Sequence, residues 1–161
     1  MLFKDVIGQH EVKQQLLEMV QHNRLSHALL FLGKEGSGAL PLAMAFANYV
    51  SILPNLNAPQ EVSLFGEPVE VQLPDNADAA DTWMQKQGSF SKAEAMVHPD
   101  IHFSYPVIKR TTKSDEKPIS TDWAVEWREF VQQMPYGNVY DWLQFIGAEN
   151  KQGNITAHEC I

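Results

Sequence analysis

Residues 28–40 read ALLFLGKEGSGAL, and this stretch carries the strongest structural signal in the chain. It opens with the unbroken apolar run Ala28–Leu32 and then becomes rich in glycine from Gly33 to Gly38. A short apolar run without alternation is typical of a strand that is buried on both faces, as in a parallel sheet. From Leu40 to Ile52 the pattern becomes helical, with a proline that the first turn of a helix tolerates. The order of strand, glycine loop and helix therefore predicts an α/β arrangement.

The glycine loop has the spacing of a phosphate-binding loop but lacks two of its side chains. A working loop reads G-x-x-x-x-G-K-[ST], in which backbone N–H groups and the helix N-terminus cradle phosphate. Gly33 and Gly38 fit this spacing, whereas Ala39 replaces the lysine and Leu40 replaces the Mg²⁺-binding hydroxyl. An ordinary glycine turn between a strand and a helix would read the same way. The spacing alone leaves both interpretations open.

Patterns elsewhere in the chain predict further elements. A first helix is expected over 9–22, because Val12, Leu16, Met19 and Val20 share one face at helical spacing. Three further helices are expected. The pattern over 81–97 is weakly helical, a second helix begins at a cap at Thr121 or Asp122 and continues through Val131, and a third covers 141–146. Strands are expected over 101–108 and, at a sheet edge, over 69–73.

Composition sets limits on the function. The chain has 161 residues and 44% apolar residues, enough for one compact domain with a core. Its formal charge of −8 argues against direct binding of a nucleic-acid backbone by this chain alone, since phosphate contacts need clustered Lys and Arg. The single cysteine, Cys160, excludes an internal disulfide. We see no secretion signal and no membrane-spanning run, so we expect a cytoplasmic protein.

Three motifs in series resemble one protein family. Residues 3–9 read FKDVIGQ, residues 25–33 read LSHALLFLG and lead into the glycine loop, and residues 98–103 read HPDIHF. Together they strongly resemble bacterial clamp-loader subunits, which begin F-x-D-V-I-G-Q, continue R-L-x-H-A-x-L-F-x-G, enter a phosphate loop and later carry H-P-D. The match covers about residues 3–50 and 97–107, in order, and is more specific than a glycine loop alone.

The resemblance implies a fold and a role. The expected fold is α/β, a three-layer P-loop domain of the AAA+ type with a parallel sheet, occupying residues 1–161 and truncated before the Walker B strand. The altered phosphate loop resembles the delta prime subunit of DNA polymerase III, a non-catalytic member of the clamp loader, rather than its gamma/tau ATPase. The expected partners are the gamma/tau and delta subunits, with the sliding clamp and primed DNA reached only through the complex.

The same resemblance implies a vestigial nucleotide pocket. Val6, Ile7 and Gly8 would border the adenine, and the loop residues Gly33, Gly36, Ser37 and Gly38 would wrap the phosphates. Plain core packing is the simpler interpretation of Val6 and Ile7. We expect no catalytic residues, no ATPase activity and no bound cofactor, because both the lysine and the hydroxyl are replaced.

Two departures from the family lead to further expectations. Family members carry a four-cysteine zinc module where this chain has a cysteine-free insertion, at about 53–97, so zinc is expected to be lost as well. Asp81, Trp83 and Phe90 are predicted to anchor this insertion. No Walker B strand and no Ser-Arg-Cys motif occurs, so we expect an N-terminal piece of a longer chain, with unpaired strand edges that favour self-association.

Several residues indicate alternative functions. His98, Asp100 and His102 alternate, so on a strand they would share one face and could bind a metal, as in a metal-dependent hydrolase. An active gamma/tau-like ATPase is a further alternative. The aromatic residues Trp123, Trp127, Phe130, Trp142 and Phe145 could stack on single-stranded nucleic acid, but their helical spacing and acidic surroundings favour a core.

Overall fold

The computed structural model describes residues 1–53, 72–110 and 117–160. Within these ranges the α-helices are α1 (His10–Gln21), α2 (Ala39–Ile52), α3 (Ala77–Gln85), α4 (Phe90–Glu94), α5 (Ala124–Gln133) and α6 (Val139–Phe145), with 3₁₀ turns at Phe3–Asp5, Ser120–Trp123 and Ala157–Cys160. No helix in this part of the chain is long and apolar enough to cross a membrane. The chain divides into two compact units, Met1–Phe31 with Pro41–His98, and Leu32–Leu40 with Pro99–Ile161.

The predicted α/β fold is wrong. Neither Ala28–Leu32 nor 101–108 is a strand, and the β-pairing found in the described residues is one isolated antiparallel bridge, between Val107 and Asn154. Leu30 and Leu32 are 86% and 88% exposed, whereas Phe31 between them packs against Phe46 with ring centroids 6.4 Å apart. The run is therefore not buried on both faces, as a strand of a parallel sheet would be. Hydrophobicity marks a segment as suited to burial, but it does not supply the strands that would cover it. The predicted edge strand lies mainly outside the described residues, at 69–71.

The first unit is built on α1 and α2, whose predicted positions are confirmed. The face that α1 buries is shifted from the prediction, because Leu17 is buried and Val12 is 38% exposed. Leu16, Leu17 and Val20 face the core, which also contains Phe3, Val6, Leu42, Phe46, Tyr49, Met84 and Phe90. The core is thus made by helices and by the N-terminal turn, with no sheet among the described residues.

The segment predicted as one weak helix over 81–97 forms two short helices, α3 and α4. Asn76 caps α3 by accepting a hydrogen bond from the Ala79 N–H at 2.9 Å. The predicted anchors are confirmed as contacts within this unit. Asp81 accepts hydrogen bonds from the backbone of the N-terminal turn, Trp83 packs edge-on against Tyr49 with centroids 5.9 Å apart, and Phe90 lies in the core.

The second unit is organised by aromatic side chains. Trp123, Trp127, Phe130 and Trp142 are each at most 9% exposed, and Phe145 packs on Phe130 at 5.6 Å. The interpretation of these residues as a core is therefore confirmed. Helix α5 begins at Ala124, after a 3₁₀ turn that contains both predicted caps. Helix α6 begins after Asn138, whose side-chain oxygen accepts from the Asp141 N–H at 3.0 Å.

The extended segment Tyr105–Ile108 is held by side chains rather than by a neighbouring strand. The indole N–H of Trp142 donates to the Pro106 carbonyl at 2.8 Å, and that of Trp123 donates to the Ile108 carbonyl at 3.0 Å. The Ser120 hydroxyl donates to the Tyr105 carbonyl at 3.2 Å and accepts from the Tyr105 N–H at 3.0 Å. Val107 completes the set through its bridge to Asn154. The carbonyls of four consecutive residues, 105–108, are thus all hydrogen-bonded, although the described residues form no sheet.

Candidate functional site

The predicted adenine-bordering residues line a cavity of about 460 Å³ in the first unit. Val6 is 2% exposed and belongs to the core, which confirms the packing interpretation for this residue. Ile7 is 81% exposed, so core packing is wrong for it. Gly8 has a φ of +65°, a left-handed backbone conformation that glycine adopts without a steric penalty. These three residues line the cavity together with charged side chains that the family resemblance did not include.

Lys13 is the main residue of this cavity that the sequence analysis missed. It is 5% exposed, and its ammonium donates to the Val6 carbonyl at 2.6 Å. This contact ties α1 to the turn that precedes it. The signal was available in the sequence, since Lys13 stands three and four residues before Leu16 and Leu17, on the face that α1 buries. Lys4, His10 and Asp78 complete the charged lining.

Asp81 positions the N-terminal side of the cavity. Its carboxylate accepts from the backbone N–H groups of Phe3 and Lys4, both at 2.8 Å, and both of those residues line the cavity. Burial raises the pKa of Asp81, while the two backbone hydrogen bonds act in the opposite direction. The contact spans more than 70 residues of sequence and fixes the 3₁₀ turn at Phe3–Asp5 against α3.

The glycine loop belongs to the second unit, and its turn geometry explains its composition. Gly36 and Gly38 have φ values of +73° and +87°, and the Ser37 N–H donates to the Lys34 carbonyl at 3.0 Å. A Cβ at Gly33 would lie 2.2 Å from the Ser37 hydroxyl oxygen. Positive φ therefore favours glycine at Gly36 and Gly38, and a side chain at Gly33 would displace the Ser37 hydroxyl. Helix α2 begins at Ala39, directly after the loop.

The start of α2 lacks the two side chains by which a working loop holds phosphate and its metal ion. Its first two helical residues, Ala39 and Leu40, offer neither an ammonium group nor a hydroxyl. The lysine of a working loop would attract a bound phosphate. The acidic loop residue Glu35 is exposed and accepts a hydrogen bond from the Asn138 side-chain amide at 3.2 Å. The residues expected to border the adenine, Val6–Gly8, belong to the first unit, and the loop residues Gly33–Gly38 belong to the second.

The alternation proposed for metal binding does not occur, because residues 98–102 do not form a strand. His98 is buried, whereas Asp100 and His102 are exposed. In residues 1–53, 72–110 and 117–160, no group of three or more His, Cys, Asp or Glu side chains could hold a metal ion. The expected loss of zinc from the insertion stays a prediction, since residues 54–71 lie outside the described ranges.

Comparison with protein-family models, with curated proteins and with solved structures gave no match in any of the three. The resemblance to clamp-loader subunits therefore depends on the motifs of this chain. The helical architecture described above does not add to it.

Proposed function

We propose that this chain is a non-catalytic component of a bacterial clamp loader, similar to the delta prime subunit and working in the cytoplasm. In this role it takes part in ATP-dependent loading of the sliding clamp by binding the subunits that use ATP. The sliding clamp and primed DNA are reached through those partners, in keeping with the net charge of −8. The proposed role is to bind the other subunits without hydrolysing ATP. It does not depend on the α/β fold that the sequence predicts.

The observation that carries the proposal is a phosphate-loop turn without phosphate-binding side chains. Gly36 and Gly38 keep the left-handed backbone that such a turn needs, and α2 follows at once. Ala39 and Leu40 remove the lysine charge and the metal ligand, and the adjacent Lys34 and Glu35 together add no net charge. A loop of this kind suits a subunit that leaves hydrolysis to its neighbours.

Exposed apolar surface supports a role in binding other proteins. Leu30 and Leu32 project almost fully into solvent, and no backbone hydrogen bond among the described residues involves 28–32. An apolar segment whose N–H and C=O groups form no hydrogen bond within the described residues is suited to pair with a strand of another chain. A partner subunit would cover both the side chains and the backbone.

The test is reconstitution with gamma/tau-like and delta-like subunits from the same bacterium. We expect the chain to co-elute with them in size-exclusion chromatography and to increase their clamp-stimulated ATPase activity, while showing no ATPase activity alone. Replacing Leu30 and Leu32 together by serine should weaken the association. Val125→Ser is the matched control, because Val125 is also exposed, at 62%, but lies on α5.

Three results would contradict the proposal. These are ATP hydrolysis by the purified chain, no association at micromolar concentration, and equal loss of association in the control. Light scattering of the chain alone accompanies the experiment, since the same segment is expected to bring copies of the chain together. Such self-association should weaken when Leu30 and Leu32 are replaced.

A further inference from the structure

A second cavity, of about 360 Å³, lies within the second unit and has aromatic walls. Tyr105, Trp127, Phe130 and Trp142 line it, and its strongly polar groups are Glu35 and Asn138. This volume is within the range of small-molecule sites, which combine apolar walls with a few polar groups. None of the sequence motifs predicts a role for this cavity.

The rings are fixed before any ligand arrives. Tyr105 stacks on Trp127 with centroids 4.0 Å apart and planes 10° apart, and Trp142 stands edge-on to both at 5.2 Å. The Tyr105 hydroxyl donates to the Ser120 carbonyl at 2.7 Å, and the Trp142 indole is held by the Pro106 carbonyl. Because these side chains are already ordered, a ligand would not have to bear the entropic cost of ordering them.

The charge at the cavity is negative. Glu35 is the one lining residue with a charged side chain, and the Asn138 amide holds its carboxylate in place at 3.2 Å. Burial raises the pKa of Tyr105, and the nearby carboxylates of Glu159 and Glu126 raise it further, against the opposite effect of Arg128 and Arg110. The two arginines offset these two carboxylates, so the negative charge at the cavity is that of Glu35.

A cation on an aromatic ring already occurs next to this site. The Arg110 guanidinium carbon lies 4.5 Å from the centroid of a Trp123 ring, and the same guanidinium pairs with Glu126. The second unit thus uses the combination of an indole and a carboxylate to hold a positive group. The cavity offers the same combination, several rings with Glu35, without a cation of its own among its lining residues.

We propose that this cavity binds an organic cation with an apolar body, of the alkylammonium type. The electron-rich faces of aromatic rings attract such cations, most strongly where water is excluded. Glu35 supplies the counter-charge and the apolar walls hold the alkyl groups. The ligand is either a free alkylammonium compound or the side chain of a lysine on another protein, and both share this chemistry.

The test compares choline with 3,3-dimethylbutan-1-ol, a neutral molecule of nearly the same shape. Binding is followed by tryptophan fluorescence and by calorimetry. We expect choline to bind at least about fivefold more tightly than the alcohol. Glu35→Gln keeps an oxygen for Asn138 and should reduce this preference to about twofold or less, with the affinity for the alcohol unchanged. Glu129→Gln, an exposed residue on α5 that does not line the cavity, should leave the preference intact.

Blocked peptides that contain lysine or acetyl-lysine distinguish the two sources. Tighter binding of the lysine peptide than of choline would point to a protein ligand, and the reverse to a free compound. The inference is overturned if choline and the alcohol bind equally, if neither binds at millimolar concentration, or if Glu129→Gln lowers the preference as much as Glu35→Gln.

Discussion

Two segments of this chain show the same apolar sequence signal and have opposite surroundings. Ala28–Leu32 and the second half of 101–108 were both predicted to be strands, and neither is one. The carbonyls of Tyr105–Ile108 are all hydrogen-bonded, and Val107 is 1% exposed. In residues 28–32 no backbone hydrogen bond is formed within the described chain, and Leu30 is 86% exposed.

This difference shows that the hydrogen-bond partners of a backbone segment can be side chains as well as a neighbouring strand. A buried backbone needs hydrogen bonds, and a sheet is the usual source of them. In the second unit two indole N–H groups and one serine hydroxyl replace the neighbouring strand, and the aromatic rings that carry those N–H groups also cover the segment. The described residues of the first unit give no comparable side-chain hydrogen bond to the backbone of 28–31.

The largest expected effect comes from removing one of the indole donors. Trp142→Phe deletes the N–H that binds the Pro106 carbonyl and leaves a small void, so it should lower the free energy of unfolding by about 3 kcal/mol. Urea denaturation followed by circular dichroism measures this change.

Trp127→Phe is the matched control for that substitution. Trp127 belongs to the same cluster, but its indole nitrogen is buried without a hydrogen-bond partner among the described residues. Its replacement removes volume and also an unpaired donor, and it should cost about 1 kcal/mol or less. Equal losses in the two variants would mean that the bond to Pro106 does not stabilise the segment.

A smaller contrast is expected from truncating one apolar side chain in each segment. Val107→Ala should cost about 2 kcal/mol, because the side chain is 1% exposed. Leu30→Ala should change the free energy of unfolding by less than about 0.5 kcal/mol, since solvent already surrounds Leu30. Thermal and urea unfolding of both variants check this. A large loss from Leu30→Ala would show that residue 30 is covered in solution.

Helices and turns were predictable where local pattern decides them. The spacing of Leu16 and Val20 located α1, the apolar run after the glycine loop located α2, and the glycine loop marked a turn that needs positive φ at Gly36 and Gly38. The strands were not predictable in the same way. Whether an apolar run pairs depends on residues far away in sequence, and here Trp142 lies 36 residues from the carbonyl it binds.

The candidate site was predictable only in part. The sequence marked Val6–Gly8 and the glycine loop, and both line or form the features described above. Lys13 and Asp81 take part through contacts with backbone groups, which residue type does not reveal. The aromatic cavity was missed because Tyr105, Trp127 and Trp142 read as core residues, and a core pattern does not show where its packing leaves space.

Amide hydrogen exchange at single-residue resolution tests the central claim most directly. The claim is that side chains replace a neighbouring strand for three of the four carbonyls of Tyr105–Ile108, and that no described residue does so for 28–32. In dilute protein the Tyr105 N–H, bonded to the Ser120 hydroxyl oxygen at 3.0 Å, should be protected from exchange. The amides of Leu29, Leu30 and Leu32 should exchange at rates close to those of an unstructured peptide. Protection at Leu30, or rapid exchange at Tyr105, would contradict this account.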